Sequence, residues 1–223
     1  MRSFDEIVSL AAEHHGGRAE ALAAAHNSHL SADLSAVNDD RYLAEMSRAV
    51  FNAGFSWKVI ARKWQGFEAA FAGFDPHRVA FIADDALHAL LADTRIVRNG
   101  QKIRATIENA RMVVETARQY GSFGAFLQAW PDTDQAGLLA YLNKHGHRLG
   151  GASGQYFLRF SGYDAWITSA DVCAALLREG VLETPKATSK SALGKVDAAI
   201  THWHEQSGYP RSVISRLLAL SVG

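Results

Sequence analysis

Residues 143–160 read Asn-Lys-His-Gly-His-Arg-Leu-Gly-Gly-Ala-Ser-Gly-Gln-Tyr-Phe-Leu-Arg-Phe, and after a short turn 167–172 read Ile-Thr-Ser-Ala-Asp-Val. The order suggests a helix end, a glycine-rich hairpin, a second helix, and a carboxylate opening a third. Gly150, Gly151 and Gly154 fall within five residues, so the backbone there can take positive φ and approach another molecule closely. No Asp or Glu occurs from Gln135 to Tyr163, whereas Lys144, His145, His147, Arg148 and Arg159 all do. In a chain of balanced charge, such a gap around a glycine hairpin points to an anion held by backbone N–H groups at a helix start. A DNA phosphate is the natural candidate, with Gly150, Gly151, Ala152, Ser153 and Gly154 supplying backbone and Lys144 and Arg148 supplying charge. The other reading is an ordinary helix-turn-helix corner whose glycines serve packing.

Beyond the hairpin, Thr168 or Ser169 is a good N-cap for a helix continuing through Val172, Leu176 and Leu177. Asp171 then falls in the first turn, where the helix dipole favours an ionised carboxylate. It reads either as a simple helix-start acid or as a charge held ready for chemistry.

Lys plus Arg equals Asp plus Glu at 23 each, so whole-molecule charge lends nucleic-acid binding no support and local distribution must carry it. A length of 223 residues suffices for one large domain or two small lobes with a real core. The single Cys173 excludes an internal disulfide and a cysteine-rich zinc site. His14, His15, His26 and His29 form a possible metal set, but no cysteine backs them and their Ala-rich spacing reads as helix surface. His202 and His204, two residues apart, fall on different helix faces. We therefore expect no metal and no cofactor. With no apolar run near membrane length and no signal peptide, a cytoplasmic protein with no membrane partner is expected; we also expect a monomer and, for a DNA ligand, association with the nucleoid.

In order, Ser3 with Glu6 forms a capping box for a first helix that Gly16-Gly17 stops. Further helices are predicted over 41–52 and 58–64. Asp75 before Pro76 starts one from His77 to about Ile82, and Asp84 caps another to Ala92. A long amphipathic helix covers 101–120, a short one leads to Trp130-Pro131, and Asp134 starts the helix that enters the hairpin. The last two helices run from about Ser189 to Gln206 and from Pro210 to Leu220. Between Asp93 and Glu108 lie four bases, Arg95, Arg98, Lys102 and Arg104, and no acid. Strand-like alternation is absent, so the chain is all-α.

Two resemblances fit this layout. Helix, phosphate-gripping hairpin, helix and ionised Asp is the order of the helix-hairpin-helix DNA glycosylases. In addition, Ala53-Gly54-Phe55-Ser56-Trp57-Lys58-Val59-Ile60 is similar to the "AGLSW..VL" segment of the DNA-3-methyladenine glycosylase I family. The similarity runs on through Phe67, Phe74-Asp75-Pro76, Val79-Ala80, Arg95 to Asn99 and Lys102-Ile103 to Asn109-Ala110, and Leu149-Gly150 with Tyr156-Phe157 resembles that family's hairpin. The resemblance implies a helix-hairpin-helix glycosylase fold with two helical lobes and a cleft between them. Residues 1–223 form a single domain, its terminal helices making one lobe and central helices, about 65–165, the hairpin-bearing one.

It also implies base-excision repair: hydrolysis of the N-glycosidic bond of alkylated purines, 3-methyladenine type, in double-stranded DNA. Trp57 matches the pocket aromatic, with Phe55 and Tyr42 as neighbours; the other reading of Trp57 is a plug where two helices meet. Arg98, Asn99 and Lys102 form a second candidate DNA contact, or simply surface charge. Asp171 matches the superfamily's catalytic Asp and would stabilise positive charge on the sugar. Lyase members place a Lys near the hairpin end, where this chain has Gln155 and Tyr156, so a monofunctional enzyme is implied. Three features depart from the family: the two zinc-binding cysteines cannot be supplied, the base-reading acid is Ala49, and the aromatic N-terminal motif is missing. Those departures keep two other readings open: a catalytically silent DNA-binding or damage-sensing relative, and a helical protein with no nucleic-acid role.

Overall fold

The computed structural model describes residues 1–25 and 30–222. Among them every regular element is helical: α1 Phe4–His15, α2 Ala19–Ala25, α3 Asp39–Asn52, α4 Trp57–Ala70, α5 Pro76–Ala80, α6 Asp84–Ala92, α7 Gly100–Tyr120, α8 Phe123–Ala129, α9 Gln135–His145, α10 Ala152–Phe160, α11 Ala170–Arg178, α12 Lys190–Ser207 and α13 Arg211–Leu220. The all-α expectation holds, and local chemistry explains most boundaries. Ser3 and Glu6 form the capping box of α1, which Gly16 ends in the left-handed conformation. Asp75 accepts from the N–H groups of His77 and Arg78 while Pro76 occupies the first position of α5.

Some predicted boundaries move. Asp84 is the first residue of α6 rather than its cap; Ala83 takes that place and offers no side-chain oxygen. Helix α4 continues past Trp64 to Ala70, because Phe67 extends its buried stripe. Helix α5 stops at Ala80, short of Ile82.

The chain divides into two compact units. The first comprises Met1–Leu30, Pro131–Ala140 and Leu158–Gly223; the second comprises Ser31–Trp130 and Tyr141–Phe157. In the first, α13 is the central helix, packed by α1, α2, α11 and α12. Its sequence is buried nearly all round, with Val213, Ile214, Leu217 and Leu218 joined by Ser212 and Ser215. Asp164 caps it from outside, accepting from the N–H groups of Arg211 and Ser212 at 2.8 and 2.9 Å. The extended segment before α11 is also fixed. Gln135 exchanges two 2.8 Å bonds with the backbone of Trp166, and Asp197 accepts from the Trp166 indole at 2.8 Å and from Ala136 N at 2.7 Å. Ile167 donates to Ser215 Oγ at 3.0 Å. Burial pushes the Asp197 carboxyl above the ordinary carboxylate range, against these donors.

In the second unit, α7 is the central helix, contacted by α3, α5, α6 and α8. Phe51, Phe67, Phe71 and Phe74 form an aromatic core with Ile60, Ile96, Ile103 and Ile107. Trp64 stacks on Phe74 at 5.3 Å and on Phe67 at 5.5 Å. A Cβ on Gly66 would lie 2.5 Å from the Arg95 carbonyl oxygen, so only glycine lets α4 approach the connector that leads into α7.

Candidate functional site

Two loops of the second unit carry most of the residues singled out from the sequence. The first is the turn between α3 and α4. Gly54 has φ +71°, and Ser56 is the N-cap position of α4. The turn leaves Phe55 and Trp57 44% and 45% exposed, unusual for large aromatics and a structural reason to read them as more than core. Trp57 meets Tyr156 edge-to-face, ring centroids 5.1 Å apart. Tyr156 sits on α10, so this contact ties the turn to the helix that follows the hairpin. Sequence reasoning did not assign Tyr156 this role; its position one turn into a helix after a glycine hairpin was the available signal.

The second loop is the hairpin, 146–151, between α9 and α10. Its anchor is Leu149, fully buried. Arg148 adopts φ +60° and Gly151 φ +58°, both left-handed. At Gly151 a Cβ would meet nothing within 4 Å, so the requirement for glycine there is conformational rather than steric. Gly150 has no positive φ; a Cβ there would come within 2.3 Å of Asn143 Oδ1, the end of an exposed and movable side chain. Ala152, Ser153 and Gly154 form the first turn of α10, whose N–H groups have no acceptor within the helix. Ala152 is exposed and Ser153 half-buried, and Lys144 and Arg148 are exposed. Arg148 donates through Nη2 to Gln101 Oε1. The start of α10 is thus exposed at Ala152, half-buried at Ser153 and buried at Gly154, in a stretch of local sequence that carries cations and no acid, a setting that favours an anion.

Two residues behind these loops hold them. Lys102 is 5% exposed; its Nζ donates to the carbonyls of Ala53 at 2.6 Å and Phe51 at 3.1 Å, and lies 4.9 Å from the centre of the Phe55 ring. Burial above all, with the charge of Arg148 second, holds its ammonium below the usual lysine range. Asn109 is fully buried and brackets His147: its Nδ2 donates to His147 O at 3.1 Å and its Oδ1 accepts from His147 N at 2.7 Å. Seven residues apart on α7, the two share one helix face. Periodicity alone contained this signal, since both polar residues fall at positions the apolar stripe of α7 marks as buried.

The structure corrects two expectations and narrows a third. Lys102 cannot reach a phosphate, because its charge is turned inward onto backbone carbonyls. Tyr42 does not line a pocket: it is fully buried, donates to Leu34 O at 2.7 Å, and packs on Phe123 at 5.5 Å. Asn99 uses its Oδ1 to cap α7 at Lys102 N, 3.1 Å away, whereas Arg98 remains exposed. Ala49 is buried on α3.

Asp171 belongs to the first unit. Ser169 is the cap of α11, accepting from Val172 N at 3.3 Å, so Thr168 is not the cap and Asp171 is free of that duty. The Asp171 carboxylate is exposed in the first turn and makes no hydrogen bond or ion pair among the described residues. The zinc of the resembling family does not fit this chain. Its one thiol, Cys173, is buried and held above the ordinary range by that burial, and no three His, Cys, Asp or Glu side chains converge among the described residues. His14 and His15 end α1; His26 and His29 lie outside the described residues.

Comparison with known proteins adds to this geometry. A family model described as methyladenine glycosylase matches residues 23–141. DNA-3-methyladenine glycosylase 1 of Escherichia coli (strain K12) is 32% identical over 92 residues, which are 40% of this chain and 49% of that protein. DNA-3-methyladenine glycosylase of Haemophilus influenzae (strain ATCC 51907 / DSM 11121 / KW20 / Rd) is 25% identical over 75 residues, 34% of this chain and 40% of that one. The chain thus spans about half the length, or less, of these curated relatives. A solved 3-methyladenine DNA glycosylase I from Staphylococcus aureus aligns with a TM-score of 0.54 and 24% identity, over 64% of this chain and 85% of its own, a likeness of fold.

Proposed function

The chain belongs to the methyladenine glycosylase family, and from that premise we propose that it removes alkylated purines, of the 3-methyladenine type, from double-stranded DNA by hydrolysing the N-glycosidic bond, the first step of base-excision repair. The observation that carries this reading is the second unit's pairing of an exposed, braced indole, Trp57, with an acid-free hairpin whose helix N-terminus faces solvent. Nucleobase chemistry requires both: a π-face for an unstacked base and a grip on the backbone it was pulled from.

Each residue has a role in this scheme. The N–H groups of Ala152 to Gly154, with Lys144 and Arg148, take phosphate oxygens. The Trp57 face, with Phe55 beside it, takes the extruded base. Cleavage leaves positive charge on the sugar, and Asp171 is the ionised group assigned to stabilise it while water adds at the anomeric carbon. An alkylated purine is already activated as a leaving group, so no covalent nucleophile is required. With Ala49 where the family keeps its base-reading acid, the proposal names a class of lesion rather than one base. The protein acts as a monomer, and a DNA substrate places it at the nucleoid. No described helix is long and apolar enough to cross a membrane.

Anisotropy titration should show an abasic-site duplex binding about tenfold or more tighter than undamaged duplex, a preference of about 1.4 kcal/mol. Methylated DNA should release free alkylated purine in single turnover. Tight abasic binding without release would favour the damage sensor; equal binding and no release would defeat the reading.

The hairpin has its own test. Gly151→Val forces a β-branched residue into the left-handed region at a cost of roughly 1–2 kcal/mol, and should weaken every duplex alike by about five- to tenfold. Unchanged affinity in a folded variant would make the hairpin structural only.

A further inference from the structure

Lys102 is a charged side chain buried in the second unit with no carboxylate bonded to it among the described residues, an arrangement that needs a reason. Its partners are the carbonyls of Phe51 and Ala53, at the C-terminus of α3. Those oxygens carry the negative end of the helix dipole and lack intrahelical donors. An ammonium is suited to them, yet a cap alone needs no burial, and most helices end on a glycine or on water. The distinguishing feature is what the ammonium also touches: the Phe55 ring, 4.9 Å from Nζ, with Phe51 at 5.9 Å. Phe55 is nearly half exposed and has a glycine before it; its backbone N–H donates to Asn52 O at 3.0 Å, and the ammonium adds a hold on its ring. Two residues later the same turn delivers Trp57.

We propose that Lys102 is a positioning residue for base capture: its ammonium, tied to the Phe51 and Ala53 carbonyls and seated against the Phe55 ring, holds the Ala53–Trp57 turn in the form that presents Trp57 to an extruded base. This deepens the glycosylase reading and rests on it. Lys102 touches neither base nor sugar. It acts through the turn, by removing motion that a base would otherwise have to freeze on arrival.

The test separates positioning from general stability. In an ¹⁵N spectrum the five tryptophan side chains give five indole signals, and Trp57→Phe identifies the one from Trp57. Lys102→Met keeps the length and apolar stem of the side chain and removes the ammonium. The signals of Trp64, Trp130, Trp166 and Trp203 should stay in place while that of Trp57 moves or broadens. Release of alkylated purine in single turnover should fall by about tenfold, within the range that small misplacement of a reacting group costs. Affinity for undamaged duplex should hold within about twofold, since hairpin contacts are untouched. Should Lys102→Met not fold, Phe55→Leu removes the ring from an exposed position, and it should displace the Trp57 signal in the same direction. A Trp57 signal unmoved in the folded variant, or moved with release unchanged, overturns the proposal. Wild-type protein that releases no base defeats the glycosylase reading instead, and the indole spectrum then still decides whether Lys102 sets the turn.

Discussion

Asp171→Asn is expected to lower single-turnover release of alkylated purine by about 10²–10³-fold, the usual consequence of losing one preorganised electrostatic partner of a transition state. The substitution keeps the size and shape of the side chain and deletes its charge. Fold damage should not obscure the result, because Ser169 rather than Asp171 caps α11. The remaining loss is the favourable placement of an anion in a helix's first turn, about 0.3–1 kcal/mol and nearer the low end for an exposed group. Binding to DNA should survive or improve, since a negative charge has gone. A thermal melt and an anisotropy titration beside the release assay distinguish these effects. Equal release by wild type and Asp171→Asn would remove Asp171 from the chemistry.

How far the sequence was legible depends on which physics each feature used. Helix starts set by local side-chain bonds, such as Ser3 with Glu6 and Asp75 before Pro76, could be read directly, because donor and acceptor lie within three residues. Lys102 reads in the sequence as a DNA contact or a surface charge for the opposite reason: its partners, the Phe51 and Ala53 carbonyls, lie about fifty positions away and are backbone atoms that leave no trace in residue type. Tyr42 failed similarly. Helical proximity to Trp57 suggested a shared pocket, but its hydroxyl is committed to Leu34 O and its ring to Phe123. The hairpin and Asp171 are singled out by composition, capping logic and the resemblance of the helix-hairpin-helix order. They lie beyond residue 141, where the family match ends, so that match does not reach them and their roles are carried to the tests above.

Asn109→Ala should destabilise the protein by roughly 2–4 kcal/mol, because a deleted side chain leaves both the N–H and the carbonyl of His147 without their partner, each in the lower part of about 1–3 kcal/mol since both bonds are only partly buried. The side chain is fully buried and its two bonds, 2.7 and 3.1 Å, tie α7 to the hairpin through both a donor and an acceptor. Its effect should therefore be sharper locally than globally. Hydrogen exchange at the His147 amide should accelerate more than exchange along α7 itself, and duplex affinity should fall for damaged and undamaged DNA alike, since the loosened element would be the one that grips phosphates. Base discrimination, measured as the ratio of abasic to undamaged affinity, should not change. This pattern is the converse of that expected for Lys102→Met, which spares undamaged binding and damages release. One helix face thus carries two separable supports, Lys102 for the ring that receives the base and Asn109 for the hairpin. Asn109→Ala melting within about 0.5 kcal/mol of wild type, the scatter of ordinary surface substitutions, with His147 exchange unchanged would show that the hairpin holds its form without α7.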